Sequence, residues 1–196
     1  MTNKEVRYFD VAEFRALQDE NGEKVLEGYA AVFNSRSELL GNFYEEIEQG
    51  AFADVLGNDA VALLNHDSNY PLARVSNGSL VLEQDEVGLK TRFKLPDTSY
   101  ARDIWNLVGE GILKQMSFSF AVRKDSWSKL EDGTPLRKIR SVSRLYDVSV
   151  VTYPAYPETS VQARSMALEL AEASEDKNDV MLKHQERERQ LKLFGY

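Results

Sequence analysis

The sequence predicts a mainly β domain of the α+β class, a largely antiparallel and nearly closed barrel with helices packed outside and a helical C-terminal tail. Three observations lead there. Strand-like apolar segments outnumber helical ones, good turn chemistry separates neighbouring segments, and the apolar pattern ends near Pro154 and Pro157, where a charged stretch begins. The 196 residues suffice for a real core. They divide into a polar N-terminal segment (1–24), a folded domain (25–160) and a charged tail (161–196).

Val25 to Phe33 reads as the first strand, with Gly28 at a bulge or close approach. From Tyr44 to Leu56, Ile47, Phe52, Val55 and Leu56 fall at helical spacing between Gly50 and Gly57, which predicts a short helix beginning near Ala51. Val61 to Leu64 is a brief strand closed by Asn65-His66-Asp67. Leu80–Glu83 and Leu89–Leu95 flank Asp85-Glu86-Val87-Gly88 as a hairpin. Its second arm alternates, with Leu89, Thr91, Phe93 and Leu95 on one face and Lys90, Arg92 and Lys94 on the other.

Pro96-Asp97-Thr98-Ser99 then caps a helix striped by Ala101, Ile104, Trp105 and Val108 and stopped by Gly109 and Gly111. Gln115–Val122, Leu136–Val142 and Leu145–Tyr153 read as three more strands, with Glu131-Asp132-Gly133-Thr134-Pro135 as a turn after the first. The tail carries Glu169, Glu172, Lys183, Glu186 and Arg187 on a solvated helix, or on two helices divided near 176–179. It reads as an appendage to the core.

Composition narrows the chemistry. The absence of cysteine excludes disulfide scaffolds, thiolate metal sites and cysteine nucleophiles. Two histidines, His66 and His184, leave little for a metal centre, so neither metal nor cofactor is expected. A net charge of −8 argues against a general nucleic-acid binder. No apolar run reaches the ~20 residues that span a bilayer, and the opening Met1-Thr2-Asn3-Lys4-Glu5 lacks a signal peptide's apolar stretch. The expectation is a soluble, intracellular protein working with hydroxyls, carboxylates and a histidine.

Three residues break their local pattern. His66 closes an apolar strand, where it serves either chemistry or the loop backbone; His184 lies in the charged tail as a solvated residue. Ser117 lies in Met116-Ser117-Phe118-Ser119-Phe120-Ala121-Val122. Alternation puts Met116, Phe118, Phe120 and Val122 on one face, and Ser117, Ser119 and Ala121 on the other, which faces either solvent or a ligand. Asp147 interrupts the apolar strand Leu145–Val151, where an ionised carboxylate needs a partner: Arg140, Arg144 or a histidine N–H. Together a serine, a histidine and an aspartate meet the needs of nucleophilic acyl transfer. The imidazole takes the hydroxyl proton and the carboxylate fixes the imidazole tautomer.

Six blocks in order carry a resemblance. They are Glu27-Gly28-Tyr29-Ala30-Ala31-Val32-Phe33-Asn34; Gly50-Ala51-Phe52; Leu64-Asn65-His66-Asp67; Asp85-Glu86-Val87-Gly88-Leu89; Gly111 to Phe120; and Asp147 to Pro157. From about residue 25 to 165 the chain resembles the tailed-phage prohead protease family, related in fold to the herpesvirus assemblins. The resemblance implies a serine endopeptidase of capsid maturation that cleaves the scaffolding domain of the major capsid protein, and itself. It implies a place in the host bacterial cytoplasm, packaged inside the procapsid, with the capsid protein as partner, a homodimer open, and no nucleic-acid or membrane partner.

Carried over residue by residue, the family's Asn-His motif makes His66 the general base and its Met-Ser-Phe block makes Ser117 the nucleophile. Asp147 stands where the family has Glu, as the residue orienting His66. Ser119 is the alternate nucleophile and Asp67 the alternate third member. The competing reading is a catalytically silent protease-like scaffold or capsid-assembly module. The tail is expected to recruit the enzyme into the assembling shell and then be cut, at Ala173-Ser174 or Arg164-Ser165.

Overall fold

Alternating apolar and charged residues organise the smaller of two sheets. In the computed structural model, which describes residues 4–9, 14–153, 163 and 165–170, β2 (Arg15–Gln18), β3 (Lys24–Val32), β7 (Leu80–Gln84) and β8 (Gly88–Lys94) pair antiparallel in the order β2-β3-β8-β7. Leu89, Thr91, Phe93 and Leu95 are buried as their alternation requires. The expected bulge falls between Tyr29 and Ala31, one residue past Gly28. The close approach belongs to Gly88, where a Cβ would lie 2.0 Å from the Ala31 carbonyl oxygen.

The larger sheet holds β1 (Glu5–Phe9), β4 (Tyr44–Ile47), β5 (Val61–Leu64), β6 (Asp67–Arg74), β9 (Gln115–Lys129) and β10 (Pro135–Val151). Its order is β1-β9-β10-β5-β6, with β4 pairing β10 as well. The fold is mainly β with few helices, as predicted. Among the described residues the strands form two hydrogen-bonded sheets with a curled half-barrel rather than one closed barrel, and β4 and β5 run parallel to β10.

The last three predicted strands are two. β9 continues to Lys129, a turn from Leu130 to Thr134 reverses the chain, and β10 runs through both remaining segments. Register shifts at Ile139/Ser141, Ser141/Val142, Val142/Arg144 and Leu145/Asp147 interrupt its alternation, so one bent strand reads as two. The predicted helix near Ala51 is a single 3-10 turn, Ala53–Val55, and Tyr44–Ile47 before it is strand. The helix α1 (Ser99–Gly109) stands as predicted: Thr98 Oγ1 accepts the Ala101 N–H, and Ala101, Ile104 and Val108 are buried.

Phe52, Phe118 and Phe120 centre a core that both sheets and α1 line. The Phe118 ring stacks on Phe120 at 4.8 Å and meets Phe52 edge-on at 5.6 Å. On the same face of β1, Glu5 and Arg7 stand opposite Phe120 and Phe118 and enter a buried ion cluster. Arg7 bonds Glu5 and Glu45, and Arg137 of β10 bonds Glu5, Glu45 and Asp125. Burial pushes the Glu5 carboxyl up, but the two guanidiniums outweigh it and hold the carboxyl below its ordinary range.

Residues 163 and 165–170 are helical, and Ala163 and Ala167 pack on Leu40 and Phe43. This part of the tail touches the domain rather than standing off it. The predicted division near 176–179, His184 and both expected cut sites fall, wholly or in part, outside the described residues.

Candidate active site

The register of two strands assembles the polar face. In the β9–β10 ladder, Ser117 is opposite Ser149 and Ser119 is opposite Asp147, so all four side chains share one face. Its other face carries Met116, Phe118 and Phe120 into the core. Ser117, Ser119 and Ser149 are fully buried, so the small face predicted for β9 is not open to solvent.

His66 arrives from the neighbouring strand. Leu64 pairs with Asp67, so Asn65 and His66 form a two-residue hairpin loop between β5 and β6. Both have positive φ, 50° for Asn65 and 59° for His66, as a type I′ turn demands. Parallel pairing sets Leu64 level with Val150. The Asn65 N–H donates to the Val150 carbonyl at 2.8 Å, and Asn65 Oδ1 accepts the Thr152 N–H at 3.0 Å. The turn is thereby tied to the end of β10, and the imidazole lies over the serine face.

His66 Nε2 is 2.6 Å from Ser117 Oγ, and His66 Nδ1 hydrogen-bonds Asp147 Oδ1. The imidazole keeps 16% of its side-chain surface exposed against 5% for Asp147. The Ser117 hydroxyl also reaches the Arg7 carbonyl oxygen on β1, at 2.9 Å. Asp147 Oδ1 further accepts from Ser149 Oγ at 2.9 Å. Its Oδ2 accepts from Ser119 Oγ and, at 3.4 Å, from Lys4 Nζ. Burial pushes the Asp147 carboxyl up, but the hydrogen bond and electrostatic attraction of His66, with the hydrogen bonds from Ser119 and Ser149, hold it below the usual carboxylate range.

The structure therefore brings His66, Ser117, Asp147 and Ser119 together, with Ser119 on the carboxylate rather than on the imidazole. Asp67 is elsewhere: its Oδ1 accepts the backbone and side-chain N–H groups of Asn69. Of the partners weighed for Asp147, the histidine is the one found. Arg140 pairs with Glu48, and Arg144 lies over the Tyr146 ring. Ser149, Lys4, the Arg7 carbonyl and the Asn65 side chain escape sequence reasoning, although Asn65 and Ser149 both lie in the motif blocks. Among the described residues no group of three or more His, Asp or Glu side chains could hold a metal, and no helix is long and apolar enough to cross a membrane.

Hydroxyl, imidazole and carboxylate thus lie in one hydrogen-bonded line, the arrangement that deprotonates a serine for attack on a carbonyl. Comparison with known proteins points the same way. The chain is 31% identical over 158 residues to the prohead protease of Enterobacteria phage HK97, covering 79% of this chain and 66% of that protein. In structure it is similar to the capsid assembly protease of bacteriophage T4, with a TM-score of 0.50 at 10% identity, over 76% of this chain and 97% of the other. That second likeness is one of fold. Residues 11–174 match the family profile described as caudovirus prohead serine protease. The match runs through most of the chain and takes in the turn of His66, the strand of Ser117 and the strand of Asp147: this protein belongs to the caudovirus prohead serine protease family.

Proposed function

We propose that this chain is the serine endopeptidase of capsid maturation, with Ser117 as nucleophile, His66 as general base and Asp147 as the residue that orients it. The observation that carries the reading is the hydrogen-bonded line from Ser117 Oγ through His66 to Asp147. Ser117 Oγ attacks the scissile carbonyl carbon while its proton passes to Nε2. The imidazolium so formed is stabilised by Asp147, and its proton then goes to the leaving amine, leaving an acyl-enzyme at Ser117. A water, deprotonated by Nε2, hydrolyses that ester and restores the serine. Ser117 is fully buried, and His66 keeps 16% of its side-chain surface exposed.

The substrate in this reading is the scaffolding domain of the major capsid protein, cut inside the prohead within the host cytoplasm, together with the protease itself. Residues 25–160 hold the reacting groups, 1–24 supply two strands to the sheets, and 161–196 form a recruiting tail removed by self-cleavage. A fluorophosphonate should label wild-type protein at Ser117 and leave Ser117→Ala unlabelled. Co-expression with the cognate capsid protein, followed by intact mass measurement of both chains, should show cleavage by wild type and none by Ser117→Ala. Cleavage by the alanine variant would overturn the assignment, and intact chains from the wild type would favour a silent scaffold.

A further inference from the structure

Ser149 stands directly opposite Ser117 across the β9–β10 ladder and is fully buried. Its Oγ lies 2.9 Å from Asp147 Oδ1 and 3.2 Å from His66 Nδ1. A hydroxyl has one proton, and an ionised carboxylate can only accept, so the Ser149 proton goes to Asp147. Toward Nδ1 the hydroxyl therefore presents a lone pair. The Nδ1–H faces two acceptors at once, Asp147 Oδ1 and Ser149 Oγ, in a three-centre hydrogen bond. Two acceptors on different atoms restrict rotation of the ring more than one would, and they fix the proton on Nδ1. Nε2 is then left unprotonated and aimed at Ser117. Ser119 does a different job, since its hydroxyl binds Oδ2 and holds the carboxylate alone.

We infer that Ser149 is a positioning residue of the protease reaction, sharing the Nδ1–H of His66 with Asp147 and so setting both the tautomer and the ring orientation. This rests on the reading of Ser117 and His66 as the reacting pair. The test is Ser149→Ala, which removes one oxygen and leaves the strand backbone alone. Its kcat should fall about ten- to hundredfold, the loss expected for a hydrogen bond to a charged group, with KM changed less than twofold. Proton NMR of the same variant should show the downfield Nδ1–H resonance of His66 shifted and exchanging faster, while Ser119→Ala leaves its exchange near wild type. Wild-type kcat, or a lower kcat with an unchanged Nδ1–H resonance, would overturn the role. The two readings fail separately. Activity retained by Ser117→Ala would refute the reacting pair, whereas the resonance reports on Ser149 without any turnover.

Discussion

Asp147 is a buried carboxylate that keeps its charge because four donors converge on it: His66 Nδ1, Ser119 Oγ, Ser149 Oγ and Lys4 Nζ. Burial alone would favour the neutral acid, and the donors reverse that preference. Asp147→Asn keeps the shape but offers an amide where the imidazole needs an acceptor. The wrong tautomer of His66 is then favoured, and kcat should fall on the order of 10⁴-fold, with labelling at Ser117 slowed in parallel. An activity within tenfold of wild type would remove Asp147 from the mechanism. Ser117 has a related choice to make. Its single proton can go to Nε2 or to the Arg7 carbonyl, so the hydroxyl turns to β1 whenever Nε2 itself carries a proton.

At the scale of elements, the β5–β6 turn decides where His66 sits. Asn65 combines a positive φ with a side-chain hydrogen bond to Thr152, and both are lost or strained in Asn65→Ala. That variant should lose about 1–3 kcal/mol of stability in urea unfolding. Its kcat should fall more than its KM rises, because the ring is carried on the displaced turn. Elements with clean apolar alternation or a full cap, such as β8 and α1, were legible in the sequence. β1 was not, because Glu5 and Arg7 fill its core-facing positions and are made tolerable only by partners at 45 and 137. Glu45 disguised β4 in the same way, and β6 was hidden by its exposed residues and Pro71. His66, Ser117 and Asp147 stood out as breaks in pattern, and their roles came from the family resemblance. Ser149 and the Arg7 carbonyl depend on register between distant strands, which no local pattern reports.

For the whole molecule, several carboxyls share one electrostatic sign. Asp147 and Glu5 lie below their ordinary values of 3.8 and 4.5, and Asp59, hydrogen-bonded by Arg74 and Ser76, is held at about 2. Between the folded and unfolded values, the unfolded chain binds protons that the folded chain does not. Stability from these groups is therefore complete above about pH 5 and drains as the pH falls through the folded values. The urea midpoint should be flat from about pH 7 to 5 and drop below about pH 4, and a midpoint that rises on acidification would contradict these shifts.

The path of the chain through the site has a consequence in time. His66 lies 51 residues from Ser117 and 81 from Asp147, and the carbonyl on Ser117 comes from 110 residues upstream. β10 supplies Asp147 and binds β9, β4 and β5 at once, yet among the described residues it is the last strand of the sheet to be synthesised. Until β10 is made, a nascent chain holds the serine and the histidine but neither the carboxylate nor the strand that brings them together. In the proposed reading, the order of synthesis thus delays the assembly of the reacting groups until β10 has been made.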